Sequence, residues 1–341
     1  VKKENYVGNG AYKLANHIIN EKIEFERNPL YWNDKETVIN SATFLAIENP
    51  STDVARYRAG DLDMTNYGLP PEQFAKLQKE LPGEVYITRT LATYSYELNN
   101  KKAPFDNVNI RKALNLSLDR NVITDKVLGQ GQTPTYVFTP TYIEEGHLIQ
   151  QPAYSKEPMA QRNEEAIKLL EEAGYSKANP LKFSILYNTN ENHKKVAIAA
   201  ASMWKANTKG LIDVKLENQE WKTYIDSRRA GRYDAARAGW NADYNQATTF
   251  GNYFLSNSSN NTAKYANPEY DKAIAESYVA TDAEGRAKAY AKAEEILAKD
   301  FGIVPIFNYV NPRLVKPYVK GYSGKEPQDH IYLRNLYIIK H

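Results

Sequence analysis

The sequence predicts an α/β protein of two lobes with mixed sheets, and three observations predict it. At 341 residues the chain exceeds what a single hydrophobic core usually serves, so two lobes with a cleft between them are expected. Its middle third alternates strand and helix patterns in a βαβαβ run, and two consecutive crossovers of that kind imply a parallel sheet with right-handed connections. Short β-type runs return at both ends of the chain, outside that unit.

Over the first 65 residues, Lys22-Ile23-Glu24-Phe25-Glu26 and Thr43-Phe44-Leu45-Ala46-Ile47 have the composition of short strands, with turns at Asn28-Pro29 and Asn49-Pro50. After Ser51, Asp53-Val54-Ala55-Arg56-Tyr57 suits a helix that Gly60 closes, and another helix follows Pro71-Glu72-Gln73. Sheet resumes at Glu84-Val85-Tyr86-Ile87. From Val108 the spacing of Ile110, Ala113, Leu114, Leu116 and Leu118 is helical. Residues 140–157 are rich in Pro, Gly and Tyr without a period, and read as an ordered surface loop. A helix then shows Glu164 and Lys168 at i,i+4, the apolar set Ala166, Ile167, Leu170 and Ala173, and Gly174 as its stop. The βαβαβ unit follows as strand 181–187, helix 191–206, strand 211–217, helix 221–230 and strand 233–240. Asn267-Pro268 opens a later helix as cap and first turn, and Thr281-Asp282-Ala283-Glu284 opens the next as a capping box. Strands over 303–307 and 331–339 end the chain.

Forty-four basic against forty-one acidic residues leave a net charge of +3 without a long run of one sign, so neither nucleic acid nor an anionic membrane is demanded as a partner. The absence of cysteine excludes disulfides, thiolate catalysis and cysteine-type zinc sites. No apolar stretch approaches the length of a membrane span. The chain opens at Val1-Lys2-Lys3 with neither an initiator Met nor a signal peptide, so a mature, clipped or truncated form is expected.

Catalytic signatures are missing. Gly321-Tyr322-Ser323-Gly324-Lys325 places its second glycine one position too early for a nucleophile elbow, and a plain turn accounts for it better. The histidines at 17, 147, 193, 330 and 341 lack metal-ligand spacing, so no metal and no cofactor are expected. What stands out is Arg237-Ala-Gly-Trp-Asn-Ala-Asp243, where a guanidinium, an aromatic ring and a carboxylate sit as a buried strand runs into a loop. Ligands of open α/β sheets collect beyond the carboxyl ends of such strands. Arg228, near the end of the preceding helix, and His193, in the first turn of an earlier one where the macrodipole favours anions, would be turned by a parallel sheet toward the same edge. Trp221 and Trp240 flank it. Pairing of Arg237 with Asp243, solvated charges and core tryptophans are the plain alternatives.

These residues carry a resemblance. Arg237-Ala-Gly-Trp240, Ala242-Asp243-Tyr244, Leu255-Ser256-Asn257-Ser258 and Asn260-Asn261-Thr262 resemble the periplasmic oligopeptide-binding proteins, of the peptide/nickel-type solute-binding family of ABC importers. So do Gly10-Ala11-Tyr12, Asp63-Met64-Thr65-Asn66, Leu186-Tyr187-Asn188-Thr189, His193-Lys194-Lys195, Asn218-Gln219-Glu220-Trp221-Lys222-Thr223 and Arg313-Leu314-Val315-Lys316-Pro317, within a match from about Gly8 to His341.

The resemblance implies a periplasmic-binding-protein-like fold with hinge-linked lobes. Lobe I would span 1–91, incomplete and rejoined by 311–341, and lobe III would span 92–310 with the βαβαβ unit, the hinge lying near Leu91 and Val310. It also implies a periplasmic receptor, not an enzyme, that takes short peptides of roughly two to five residues and hands them to the membrane permease of an ABC importer. A monomer is expected. Asp243 would hold the peptide's α-ammonium, and Arg237, Arg228 and His193 its α-carboxylate at different peptide lengths. Trp221, Ile225, Gly239, Trp240, Asn241, Asn260 and Tyr309 would supply pocket or main-chain contacts. Ala92 and Asn241 stand where close relatives carry cysteines that can bridge. Murein tripeptide, glutathione and haem are alternative cargoes in the same family. A reading from another class is a carbohydrate-active hydrolase, which needs two acids ~5 to 10 Å apart across a cleft.

Overall fold

A computed structural model describes residues 5–66 and 68–340; the opening Val1-Lys2-Lys3 and His341 lie outside them. The chain forms two compact units, Val1–Thr88 with Val310–His341, and Arg89–Tyr309. It leaves the first within one long strand and returns within another.

In the first unit β1 (Tyr12–Ile18), β2 (Lys22–Arg27) and β3 (Ser41–Leu45) form an antiparallel sheet in that order. Helix α1 (Pro50–Ala59) starts where Asn49 Oδ1 accepts the Ser51 N–H and Pro50 fills the first position, and it stops where Gly60 turns left-handed at φ 88°. Helix α2 (Pro71–Glu80) brings Phe74 and Leu77 onto Val54, Tyr57, Leu69 and Leu314.

The second unit is organised by a mixed sheet of order β5-β9-β4-β8-β6-β7. Its elements in chain order are β4 (Val85–Leu98), α3 (Val108–Leu116), β5 (Thr133–Pro134), α4 (Met159–Glu172), β6 (Leu181–Asn188), α5 (Glu191–Asn207), β7 (Ile212–Gln219), α6 (Trp221–Arg229), β8 (Ala235–Asn241), α7 (Thr248–Gly251), α8 (Pro268–Val279), α9 (Ala283–Lys299) and β9 (Ile303–Leu314). The parallel core expected of the βαβαβ unit is present, with β6 parallel to both β7 and β8. β4 runs antiparallel to β8 from Ala92–Asn241 to Leu98–Ala235, which makes the sheet mixed.

Two apolar cores pack this unit. One gathers Tyr94, Tyr96, Leu114, Phe183, Ile185, Val196, Ala200, Trp204 and Phe307, and draws on α3, α4 and α5. The other gathers Phe250, Tyr270, Ile274, Tyr290 and Leu297 from α7, α8 and α9, with Tyr253 and Phe254 from the 3-10 turn after α7 and Phe138 from the loop after β5. Trp204 is fully buried in the first, with its indole N–H on the Leu114 carbonyl at 2.9 Å and its ring tilted against Tyr96 and Phe183.

Three local expectations need correction, and one element went unread. The strand expected at 84–87 continues to Leu98, because the run Leu91 to Leu98 is buried between layers and polar Thr93, Ser95 and Glu97 are carried inside with it. The strand expected over 331–339 shrinks to β11 (Tyr337–Ile338), which pairs with β10 (Val319–Lys320); β-propensity builds a ladder only where a neighbour supplies one. The cap of α9 is Asp282, whose Oδ1 accepts the Gly285 N–H at 2.6 Å, one residue after the Thr281 of the expected capping box. A π-helical turn over Val122–Leu128 was not legible at all.

Replacing Trp204 with Ala removes the largest side chain of the first core and leaves the Leu114 carbonyl without its donor. We expect a loss of about 3 to 5 kcal/mol in unfolding free energy, measured by urea denaturation.

Candidate functional site

All the side chains singled out in the sequence lie in the second unit. Register decides what each can do. On neighbouring antiparallel strands, directly paired residues share a face and successive residues alternate. Tyr94 pairs with Gly239 and Tyr96 with Arg237, while Glu97 pairs with Ala236 and Thr93 with Trp240. Arg237 therefore shares a face with Tyr94 and Tyr96. Glu97 and Trp240 take the other.

On the first face, Arg237 is half-buried, with Nη2 donating to the Tyr309 hydroxyl at 2.5 Å and its guanidinium carbon 5.2 Å from the Tyr94 ring centre. His193 packs on the same Tyr94 ring at 5.6 Å. Gly239 keeps this corner open, since a Cβ there would stand 2.9 Å from the Tyr309 hydroxyl and 3.0 Å from Arg237 Nη2.

His193 was expected among the cations. It lies in the first turn of α5 as anticipated, but burial, and then the charge of Arg237, push its pKa well below the ordinary 6.5. The main-chain donors of that turn are also taken, because Asn190 Oδ1 accepts the N–H groups of Asn192 and His193.

Arg228 is engaged within the protein. It is buried on the opposite face, where Nη2 reaches Glu97 Oε2 at 2.9 Å, Thr262 Oγ1 at 2.9 Å and the Tyr253 hydroxyl at 3.2 Å. The Tyr253 hydroxyl donates to Glu97 Oε1 at 2.6 Å, and the Thr262 hydroxyl donates to Oε2. Burial opposes the charge on Arg228, but Glu97 more than offsets it and holds the pKa well above its usual value. Arg228 Nε is buried without a hydrogen-bond partner, so the pair is an internal strut anchored through Nη2, with its charge matched by Glu97.

Asp243 is exposed just beyond β8. Its N–H donates to Thr249 Oγ1 at 3.2 Å, and the Trp240 indole N–H donates to the same oxygen at 3.2 Å. Trp240 packs edge-on against Tyr253 at 4.8 Å, so one chain of contacts runs from Asp243 through Thr249, Trp240 and Tyr253 to the Glu97–Arg228 pair. Tyr224 carries it further: its ring lies 5.6 Å from the Arg228 guanidinium and its hydroxyl donates to the Arg237 carbonyl. Trp221 is exposed and stacks on Tyr224 at 5.8 Å, and Ile225 packs half-buried beside Leu186, Tyr224, Tyr233 and Ala236.

Asn241 is exposed at the end of β8 opposite Ala92. Asn260 is exposed in a turn where its carbonyl accepts the Thr262 N–H at 2.7 Å.

One main-chain feature had no sequence signal. β6 pairs with β8 only at Ile185–Ala235 and Leu186–Ala236, then follows β7 to its end, whereas β4 accompanies β8 to Asn241. Among the described residues, the edge of β8 turned away from β4 carries no strand from Arg237 to Asn241. The residues that sequence reasoning missed are Glu97, Tyr94, Tyr224, Thr249, Tyr253 and Thr262. Glu97 alone left a trace, as an acid inside an otherwise apolar and aromatic run.

A separate cavity of about 240 Å³ in the first unit is lined by Tyr322, Ser323, Asp329 and His330 among others. Asp329 is committed there to Arg313 and Asn311, and Ser323 Oγ accepts the Lys325 N–H at 3.3 Å, so no activated nucleophile is assembled. Among the described residues, no cluster of three or more His, Asp or Glu could hold a metal ion, and no helix is long and apolar enough to cross a membrane.

Comparison with known proteins adds the following. The family of bacterial extracellular solute-binding proteins, family 5, matches residues 1–262. The periplasmic oligopeptide-binding protein OppA of Haemophilus influenzae is 97% identical over 341 residues, covering 100% of this chain and 63% of its own length. OppA of Salmonella typhimurium is 54% identical over 337 residues, covering 99% of this chain and 62% of its own. The crystal structure of Haemophilus influenzae OppA in complex with the peptide RPPGFSPFR superposes with a TM-score of 0.95 at 96% identity, covering 100% of this chain and 66% of that one. The chain thus spans about 63% of the length of the curated relatives it matches.

Two outcomes follow from the geometry. Because the folded pKa of His193 is depressed, its contribution to stability is complete above the unfolded value of about 6.5 and is lost as acid protonates only the unfolded chain. His193→Gln is expected to flatten the fall in unfolding free energy between pH 6.5 and 5 by up to about 1.4 kcal/mol per pH unit, in urea titrations at stepped pH. Glu97→Ala strands a buried guanidinium and is expected to cost about 3 to 5 kcal/mol in the same assay.

Proposed function

Since this chain belongs to the bacterial extracellular solute-binding proteins of family 5, we propose that it captures short peptides in the periplasm and delivers them to the membrane permease of an ABC importer. The observation that carries the reading is the open edge of β8 from Arg237 to Asn241, with a guanidinium at its start and the Asp243 carboxylate just past its end. An extended peptide can add to such an edge through main-chain hydrogen bonds, which supply affinity without regard to side chains.

The spacing suits the cargo. Arg237 and Asp243 are six residues apart, at most about 20 Å of extended chain, while a tri- to pentapeptide separates its own charged ends by ~10 to 18 Å. Asp243 then takes the α-ammonium and Arg237 the α-carboxylate, whose two oxygens a planar guanidinium can grip together. His193, beside Arg237, can donate one N–H to the carboxylate; Arg228 acts from beneath by fixing Tyr224 and Tyr253. Trp221, Ile225, Trp240, Asn241, Asn260 and Tyr309 border the bound chain, and water occupies what the ligand's side chains leave. Binding without bond chemistry also accords with the relatives, which are named as binding proteins.

The test is a pair of affinities measured by calorimetry on the intact protein. Asp243→Ala should weaken a free-amino tripeptide by about 2 to 5 kcal/mol, the cost of removing one partner of a desolvated charge pair, and leave its N-acetylated form little changed. Equal binding of the two peptides by the unaltered protein overturns the assignment of Asp243. Mass spectrometry of small molecules released on denaturation identifies the cargo, and a single species such as murein tripeptide, glutathione or haem would replace mixed peptides as the ligand.

A further inference from the structure

Asp243 lies in a short segment between β8 and α7, and exposed segments of this kind do not hold a carboxylate in place unaided. Its near end is tied to the sheet by the Ala242 N–H on the Leu91 carbonyl at 2.8 Å. The far end is tied to the loop over 140–157. There the Ala247 N–H meets the Glu144 carbonyl at 3.0 Å, the Glu144 N–H meets Asn245 Oδ1 at 3.2 Å, and Asn245 Nδ2 returns to Glu144 Oε1 at 3.2 Å.

Glu145 completes the brace. Its backbone is left-handed at φ 64°, a conformation that glycine adopts freely and glutamate only under strain. A non-glycine residue kept in that region points to a use for its side chain. The Glu145 side chain is 10% exposed and both of its oxygens are engaged. Oε1 accepts Arg286 Nε at 2.7 Å and Nη2 at 2.6 Å, and Oε2 accepts Gln246 Nε2 at 3.0 Å. Gln246 Oε1 in turn accepts the Thr248 hydroxyl at 2.6 Å, and that hydroxyl group lies 2.8 Å from the Tyr290 hydroxyl on α9. Arg286 is on α9 too, so the segment bearing Asp243 is joined to that helix by two routes.

We propose that Glu145 and Arg286 are positioning residues that set Asp243 for the ligand's ammonium group; the proposal rests on the role given to Asp243 above. Neither residue touches the ligand. They act by fixing the far end of the segment, so that the ordering of the carboxylate is complete before binding.

Glu145→Gly separates the two functions of the position, since it relaxes the backbone while deleting the brace, and Arg286→Ala removes the brace from the other side without altering the turn. Calorimetry on the intact protein compares a free-amino tripeptide with its N-acetylated form, and a free-carboxylate tripeptide with its C-terminal amide. Each variant should lower the preference for a free amino end about tenfold, and the double variant should lower it no further, as residues of one network do. The preference for a free carboxylate should stay within about twofold. Variants that keep the amino preference, or that weaken all four peptides equally, overturn the proposal. An unaltered protein with no amino preference removes the premise instead, and the two failures are told apart by that first measurement.

Discussion

The arrangement depends on one constraint, the antiparallel pairing of β8 with β4 over its whole length while β6 releases β8 after Ala236. Pairing with β4 fixes which face each residue of β8 addresses, and so separates Arg237 and Tyr94 from Trp240 and Glu97. The early departure of β6 toward β7 leaves that edge of β8 without a strand from Arg237 to Asn241 among the described residues, and the Arg237 carbonyl is taken by the Tyr224 hydroxyl instead. Edges of this sort invite unwanted association unless they are short or flanked by charge. This one is both, being limited to the end of a strand and bounded by Arg237 and Asp243.

The distribution of charge follows from the same division. Three bases that look equivalent along the chain have three different states. Arg228 is matched by Glu97 within a network that includes Tyr253 and Thr262, His193 has its pKa lowered by burial and then by Arg237, and Arg237 on β8 is bonded to the Tyr309 hydroxyl.

Much of the fold was legible because its signals are local. The periodicity of α3, the Asn267-Pro268 start and the glycine stops at 60 and 174 each act within one turn of chain, and each is found where expected, whereas Asn49-Pro50, read as a turn, opens α1. The βαβαβ unit was legible for the same reason. The state of each site residue was not, since it is set by partners far away in sequence: Glu97 lies 131 residues from Arg228, and nothing near either one announces the other. Strand exposure was likewise hidden, because where β6 leaves β8 depends on pairing between β6 and β7 rather than on the composition of β8. Residues 331–339 show the opposite failure, a persuasive β pattern that gains a ladder only at Tyr337–Ile338.

The strict alternation along β8 bears on how the sequence of this strand can diverge. Substitutions at its surface positions alter what borders the strand edge one residue at a time. An insertion or deletion between Arg237 and Asn241 would instead turn every later side chain over to the opposite layer and bring Trp240 out of its packing against Tyr253. The stretch after Asn241 is under a different constraint, since its two ends are tied to the Leu91 and Glu144 carbonyls and its length is set by the gap between them.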